Sequence, residues 1–126
     1  MPYSIQTVRK ETYLHLHVAG ETTVASLKQM ADVVKAEAAK ARLSHVVLDC
    51  QRVTGQVSLS SLFLVGDYYA RTLADEVQLA IINSPPNWSH NDFSEDVIYL
   101  RGGVMRHFNS LDEVEAWFAT TPSKLE

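Results

Sequence analysis

The chain is poor in the features that define several protein classes. It holds a single cysteine among 126 residues, so neither an internal disulfide nor a cysteine-rich zinc site is available. It has no basic block. Lys and Arg number 11 against 15 Asp and Glu, a formal net charge of −4, which argues against general binding to a phosphate backbone. Its apolar runs fall far short of a membrane span, and the first ten residues, Met1 to Lys10, lack the apolar centre of a signal peptide. Five glycines form neither a dinucleotide-binding nor a P-loop spacing, and no Gly-x-Ser-x-Gly elbow occurs. No repeat of solenoid length and no low-complexity segment is present. The expectation is a soluble, cytoplasmic, cofactor-free domain over residues 1–120, with 121–126 as a flexible tail.

What is present is a hydrophobic fraction of 46% and a charged fraction of 21%, ordinary for one globular domain. Tyr3, Ile5 and Val8 mark a weak strand. Tyr13 to Val18 alternates cleanly, with Leu14, Leu16 and Val18 on one face and Tyr13, His15 and His17 on the other. Gly20 is expected to end that run, and Lys10–Thr12 suits a hairpin link. Val24, Leu27, Ala31, Val34 and Ala38 recur at helical spacing over residues 23–41, with Met30 and Val33 beside them and Thr22 or Thr23 placed to cap the start. His45 to Cys50 reads as a short buried strand, Ser58 to Leu73 as a second helix and Glu76 to Ile82 as a third core strand. A turn follows at Asn83–Asn87. Asn91 to Arg101 then reads as a helix stopped by Gly102–Gly103, and Val104 to Phe108 as the last strand. Ser110 and Glu113 have the spacing of a capping box opening a final helix with Leu111, Val114, Trp117 and Phe118. The order is β-β-α-β-α-β-α-β-α. Strands alternating with helices give an α/β fold with a mainly parallel sheet, and the first strand is expected as an antiparallel edge.

Three stretches carry a family resemblance: Leu16 to Val24, Val46 to Asp49, and Met105 to Phe118. Over roughly residues 10–119 the chain resembles the STAS domain, the anti-sigma-factor-antagonist fold. It is most similar to the SpoIIAA-like branch, a relative of a class of lipid-binding domains. The resemblance implies a bacterial, non-enzymatic regulatory module. In regulatory members an Asp-Ser-Ser-Gly-like element follows the second core strand, a partner kinase phosphorylates its serine, and the nearby helix docks on the partner. Here that region is Val53 to Leu62, and Ser58 stands nearest the phosphoacceptor position. The flanking Asp and Gly are replaced by Val57 and Ser60.

The second helix, read on its own, reaches a similar surface. Leu59, Leu62, Phe63, Gly66, Ala70 and Leu73 share one face bordered by Tyr69. Leu64 and Tyr68 lie opposite, with Val65 to one side. Solitary exposed apolar residues are normal, but an aromatic and an aliphatic one turn apart also suit a docking patch for a partner or a second copy. Ser58, Ser61, Leu64, Val65 and Tyr68 are therefore the partner-binding candidates. Ser58, Ser60 and Ser61 are more simply explained as helix-capping residues, which accounts for these residue types at a helix start.

Asp49 and Cys50, at the expected carboxyl end of one strand, and Asn83, Ser84 and Trp88, just after the next, mark the edge where open parallel sheets bind small molecules. Leu64, Tyr68, Trp88 and Tyr99 would line a groove for a small apolar or lipid-like ligand, the alternative function. An enzyme using Asp49, Cys50 or His90 is a third reading, although no base is assigned to Cys50, and such a cysteine is more often a small buried hydrophobe than a nucleophile. His15 and His17 share a face as a His-x-His pair, but spacing identifies no third ligand. Asp92, Glu95 and Asp96 near His90 are accounted for by the dipole at a helix start. No metal is expected at either place.

Overall fold

A computed structural model describes residues 3–54, 59–73, 76–82 and 104–120. Five strands form one sheet in the order β1-β2-β3-β4-β5: β1 (Tyr3–Arg9), β2 (Leu14–Glu21), β3 (His45–Thr54), β4 (Gln78–Ile82) and β5 (Val104–Phe108). β1 pairs antiparallel with β2, and the remaining pairings are parallel. Three helices are described: α1 (Val24–Ala41), α2 (Leu59–Leu73) and α3 (Leu111–Thr120). The α/β class, the parallel sheet and the antiparallel edge agree with the sequence reading. The helix expected over 91–101, the turn at Asn83–Asn87 and the tail 121–126 lie outside the described residues.

The strand order explains the layering. Successive parallel strands step across the sheet in one direction, and right-handed crossovers then put α1 and α2 on the same face. There Leu14, Leu16, Val18, Val46, Leu48 and Leu79 pack under Met30, Val34, Tyr69 and Leu73. The opposite face is closed by α3. Val114 and Phe118 cover Tyr13, Val47, Ala80 and Ile82. Tyr13 and His15 thus point away from the first core, as the alternation requires, yet both are buried.

Local chemistry sets the ends of the elements. Thr23 caps α1: its Oγ1 accepts from the Ser26 backbone N–H at 3.1 Å, while Ser26 Oγ accepts from the Thr23 N–H at 2.7 Å. These reciprocal bonds satisfy two groups the helix start leaves unpaired. Arg42 ends α1 in the left-handed region at φ 59°. At α3 the Asn109 N–H donates to Glu113 Oε1 at 3.1 Å and the Glu113 N–H reaches Ser110 Oγ at 3.4 Å.

Two strand ends differ from the sequence reading. β2 does not stop at Gly20. It runs to Glu21, with Gly20 at φ 108°, a value that favours a residue without Cβ. β3 does not stop at Cys50 but continues to Thr54, where Ala19, Gly20 and Glu21 pair with Arg52, Val53 and Thr54 after a register shift. Gln51, Arg52 and Thr54 are exposed and Val53 alone of the four is buried in the first core, so ladder hydrogen bonds to β2 do much to hold this extension in strand.

Candidate functional site

The longer β3 relocates Asp49. It lies mid-strand, not at the carboxyl end, although β4 stops opposite it, pairing Ile82 with Asp49. On the other side His17 is its register partner in β2. Side chains two apart on a strand share a face, so His15 joins them.

The three groups converge. His15 Nε2 donates to Asp49 Oδ2 at 2.9 Å, since a carboxylate can only accept. His17 Nδ1 lies 3.9 Å from the same oxygen, too far for a hydrogen bond. The two imidazoles stack, with centroids 3.9 Å apart and planes 16° apart. Asp49 Oδ1 accepts from the Gln51 backbone N–H at 3.2 Å and from Gln51 Nε2 at 3.1 Å. The side chains of His15 and Asp49 are 6% and 13% exposed, whereas His17 is 47% exposed. The cluster therefore has a buried base and one open side. Burial, foremost, and the neighbouring His15 imidazole hold His17 below the usual histidine range; Asp49 acts in the opposite direction, and Lys10 and Arg52 add to the lowering. Among the described residues, these three form the group whose donor atoms gather within 4.8 Å. The His-x-His spacing was visible in the sequence. Its third member, 34 residues from His15, follows from the β2–β3 register, which has no signature in spacing.

Cys50 points to the opposite face, into the first core, and is buried. Burial, with Asp49 adding to it, pushes its thiol up to about 12. It is a protonated, packed thiol at neutral pH, with none of the exposure or electropositive surroundings of a nucleophile.

On α2 the structure separates the proposed docking residues. Leu64 is 54% exposed and is the exposed large hydrophobe among the described residues. Ser60 is exposed and Ser61 half-buried. Val65 corrects the helical-wheel reading: at 8% exposure it packs in the first core, in the cluster that also holds Met30, Ala31 and Val34 of α1. Tyr68 is half-buried against the same core, and its hydroxyl donates to Asp32 Oδ1 of α1 at 2.7 Å. Lys28 Nζ sits 5.8 Å from its ring centroid. Tyr68 thus bridges the two helices, with its remaining surface beside Leu64. Asp67 and Arg71 pair one turn apart at 3.0 Å.

Ser58 and the ligand-site candidates Asn83, Ser84, Trp88 and Tyr99 lie outside the described residues, as do His90, Asp92, Glu95 and Asp96. Among the described residues no helix is long and apolar enough to cross a membrane.

No protein-family model and no curated protein matches the chain. Solved structures do. An anti-sigma factor antagonist from Mycobacterium paratuberculosis superposes with a TM-score of 0.59 at 16% identity, covering 91% of this chain and 92% of that one. An uncharacterised protein with a SpoIIAA-like fold from Shewanella loihica gives 0.54 at 17% identity, again over 91% and 92%. The chain therefore has a SpoIIAA-like fold, as its sequence pattern suggested.

Proposed function

We propose that this SpoIIAA-like chain is a non-enzymatic regulatory module that docks a protein partner through α2 and the loop before it. The observation that carries this reading is Leu64, 54% exposed on a helix whose other flank is committed to α1. An exposed leucine edged by the Tyr68 ring and the hydroxyls of Ser60 and Ser61 combines an apolar anchor with polar rim groups, the composition of a small interface. The shared fold with an anti-sigma factor antagonist supports the same assignment. Ser58, just before α2, is the proposed control point. A phosphate there would add about two negative charges at pH 7 beside the docking helix and alter partner affinity without refolding the domain. Cys50 and Asp49 are not assigned catalytic roles, since the thiol is buried and the carboxylate is engaged by His15 and Gln51.

Native mass spectrometry of the protein from its source cells tests the reading. The expected result is a mass above the 14.1 kDa of one chain that falls to it on denaturation and is absent for Leu64→Glu. A second protein or a second copy would each satisfy the docking surface. A small-molecule adduct retained by Leu64→Glu would instead identify a ligand carrier, and a bare monomer would count against stable docking.

A further inference from the structure

We propose that His15, His17 and Asp49 form a binding site for a divalent transition-metal cation of the zinc type, open to solvent beside His17. The inference is independent of the docking reading and concerns the opposite face of the sheet from α2.

The donor set is two imidazole nitrogens and one carboxylate oxygen, a combination suited to zinc and its first-row neighbours and ill suited to calcium or magnesium, which prefer all-oxygen shells. Metal–ligand distances of about 2.0–2.1 Å place tetrahedral ligands roughly 3.3 Å apart. The separations from Asp49 Oδ2, 2.9 Å to His15 Nε2 and 3.9 Å to His17 Nδ1, bracket that edge. Imidazole lone pairs lie in the ring planes, which are nearly parallel in the stack, so binding requires the half-exposed His17 to swing out of the stack and turn Nδ1 toward the cation. Water would supply the fourth ligand from the side of His17, which is half exposed.

The surroundings hold the donors in place. His15 is buried and Asp49 nearly so, both on paired strands. Gln51 engages Asp49 Oδ1 through its backbone N–H and its side chain, which fixes the carboxylate and leaves Oδ2 to the cation. Such outer hydrogen bonds orient metal ligands. His17 Nδ1, 3.9 Å from Asp49 Oδ2, makes no hydrogen bond to the carboxylate that would hold it away from a cation. Binding requires His15 Nε2 to give up its hydrogen, by tautomer shift to Nδ1 or by release to solvent. Lys10 and Arg52 add positive charge nearby, so the affinity is expected to be micromolar, weaker than that of a four-ligand structural zinc site.

The test is calorimetric titration of the metal-stripped full chain with zinc chloride, paired with cobalt(II) absorption spectra and histidine NMR signals. One equivalent of zinc should bind, with the His15 and His17 ring signals moving together. His17→Ala and Asp49→Asn should each weaken binding by at least about tenfold, while Glu37→Gln, on α1 across the sheet, leaves it intact. His17 is half exposed, so its alanine variant keeps the test valid even if Asp49→Asn fails to fold. Absence of saturation at about 100 µM zinc, or binding that survives His17→Ala, would overturn the proposal.

Discussion

His17 rests face to face on His15, their ring centroids 3.9 Å apart, and the pair shares one carboxylate oxygen of Asp49. Two imidazoles this close resist carrying two positive charges. His17, facing His15, Asp49, Lys10 and Arg52, is held below its ordinary range, chiefly by burial and then by His15. In metal-free protein its NMR titration midpoint should therefore lie below about 6.5. Asp49→Asn should lower it further, because the carboxylate is the one neighbour favouring the charged ring. The linkage sign follows. The unfolded chain takes up this proton at higher pH than the native one, so His17's contribution is fully present above about pH 6.5 and is lost as pH falls through the native midpoint. A midpoint above 6.5 would contradict the stacked, partly desolvated geometry.

Leu48 and Leu64 should respond oppositely to truncation. Leu48 is 1% exposed on the central strand, so Leu48→Ala should cost about 2–5 kcal/mol in chemical denaturation. Leu64→Ala should change stability by no more than about 0.5 kcal/mol, as surface substitutions do. A large loss at Leu64 would make it a core residue and remove the anchor of the docking surface.

Cys50 should be inert. Its thiol is buried and pushed up to about 12, so a disulfide reagent at pH 7.5 should label it only as fast as the protein opens, and rapidly once denatured. Prompt labelling of the native protein would place the thiol at the surface and restore the enzymatic reading.

Much of the fold was legible in the sequence because burial imposes its period directly. The Leu14–Leu16–Val18 alternation, the Ala31–Val34–Ala38 spacing and the Ser110–Glu113 cap each report a local constraint. Neither the end of β3 nor the flank of Val65 does. Gln51, Arg52 and Thr54 are exposed and show no apolar period; they are strand because β2 runs beside them. Val65 lies to one side of an isolated helical wheel and is core in the folded chain, in the cluster that also holds Met30, Ala31 and Val34 of α1. The site divides the same way. The His-x-His pair is visible as spacing, whereas Asp49 joins it through the parallel register of β2 and β3. That juxtaposition belongs to the sheet and to no local motif.

The most direct test of the docking account is site-specific photocrosslinking in the source cells, with the photoreactive residue at position 64 and, as a control, at exposed Lys35 of α1. The account expects one discrete protein adduct, either a partner or a second copy, from position 64 and none from position 35. The same faint pattern from both positions, or no adduct from position 64, would contradict α2 as the docking helix.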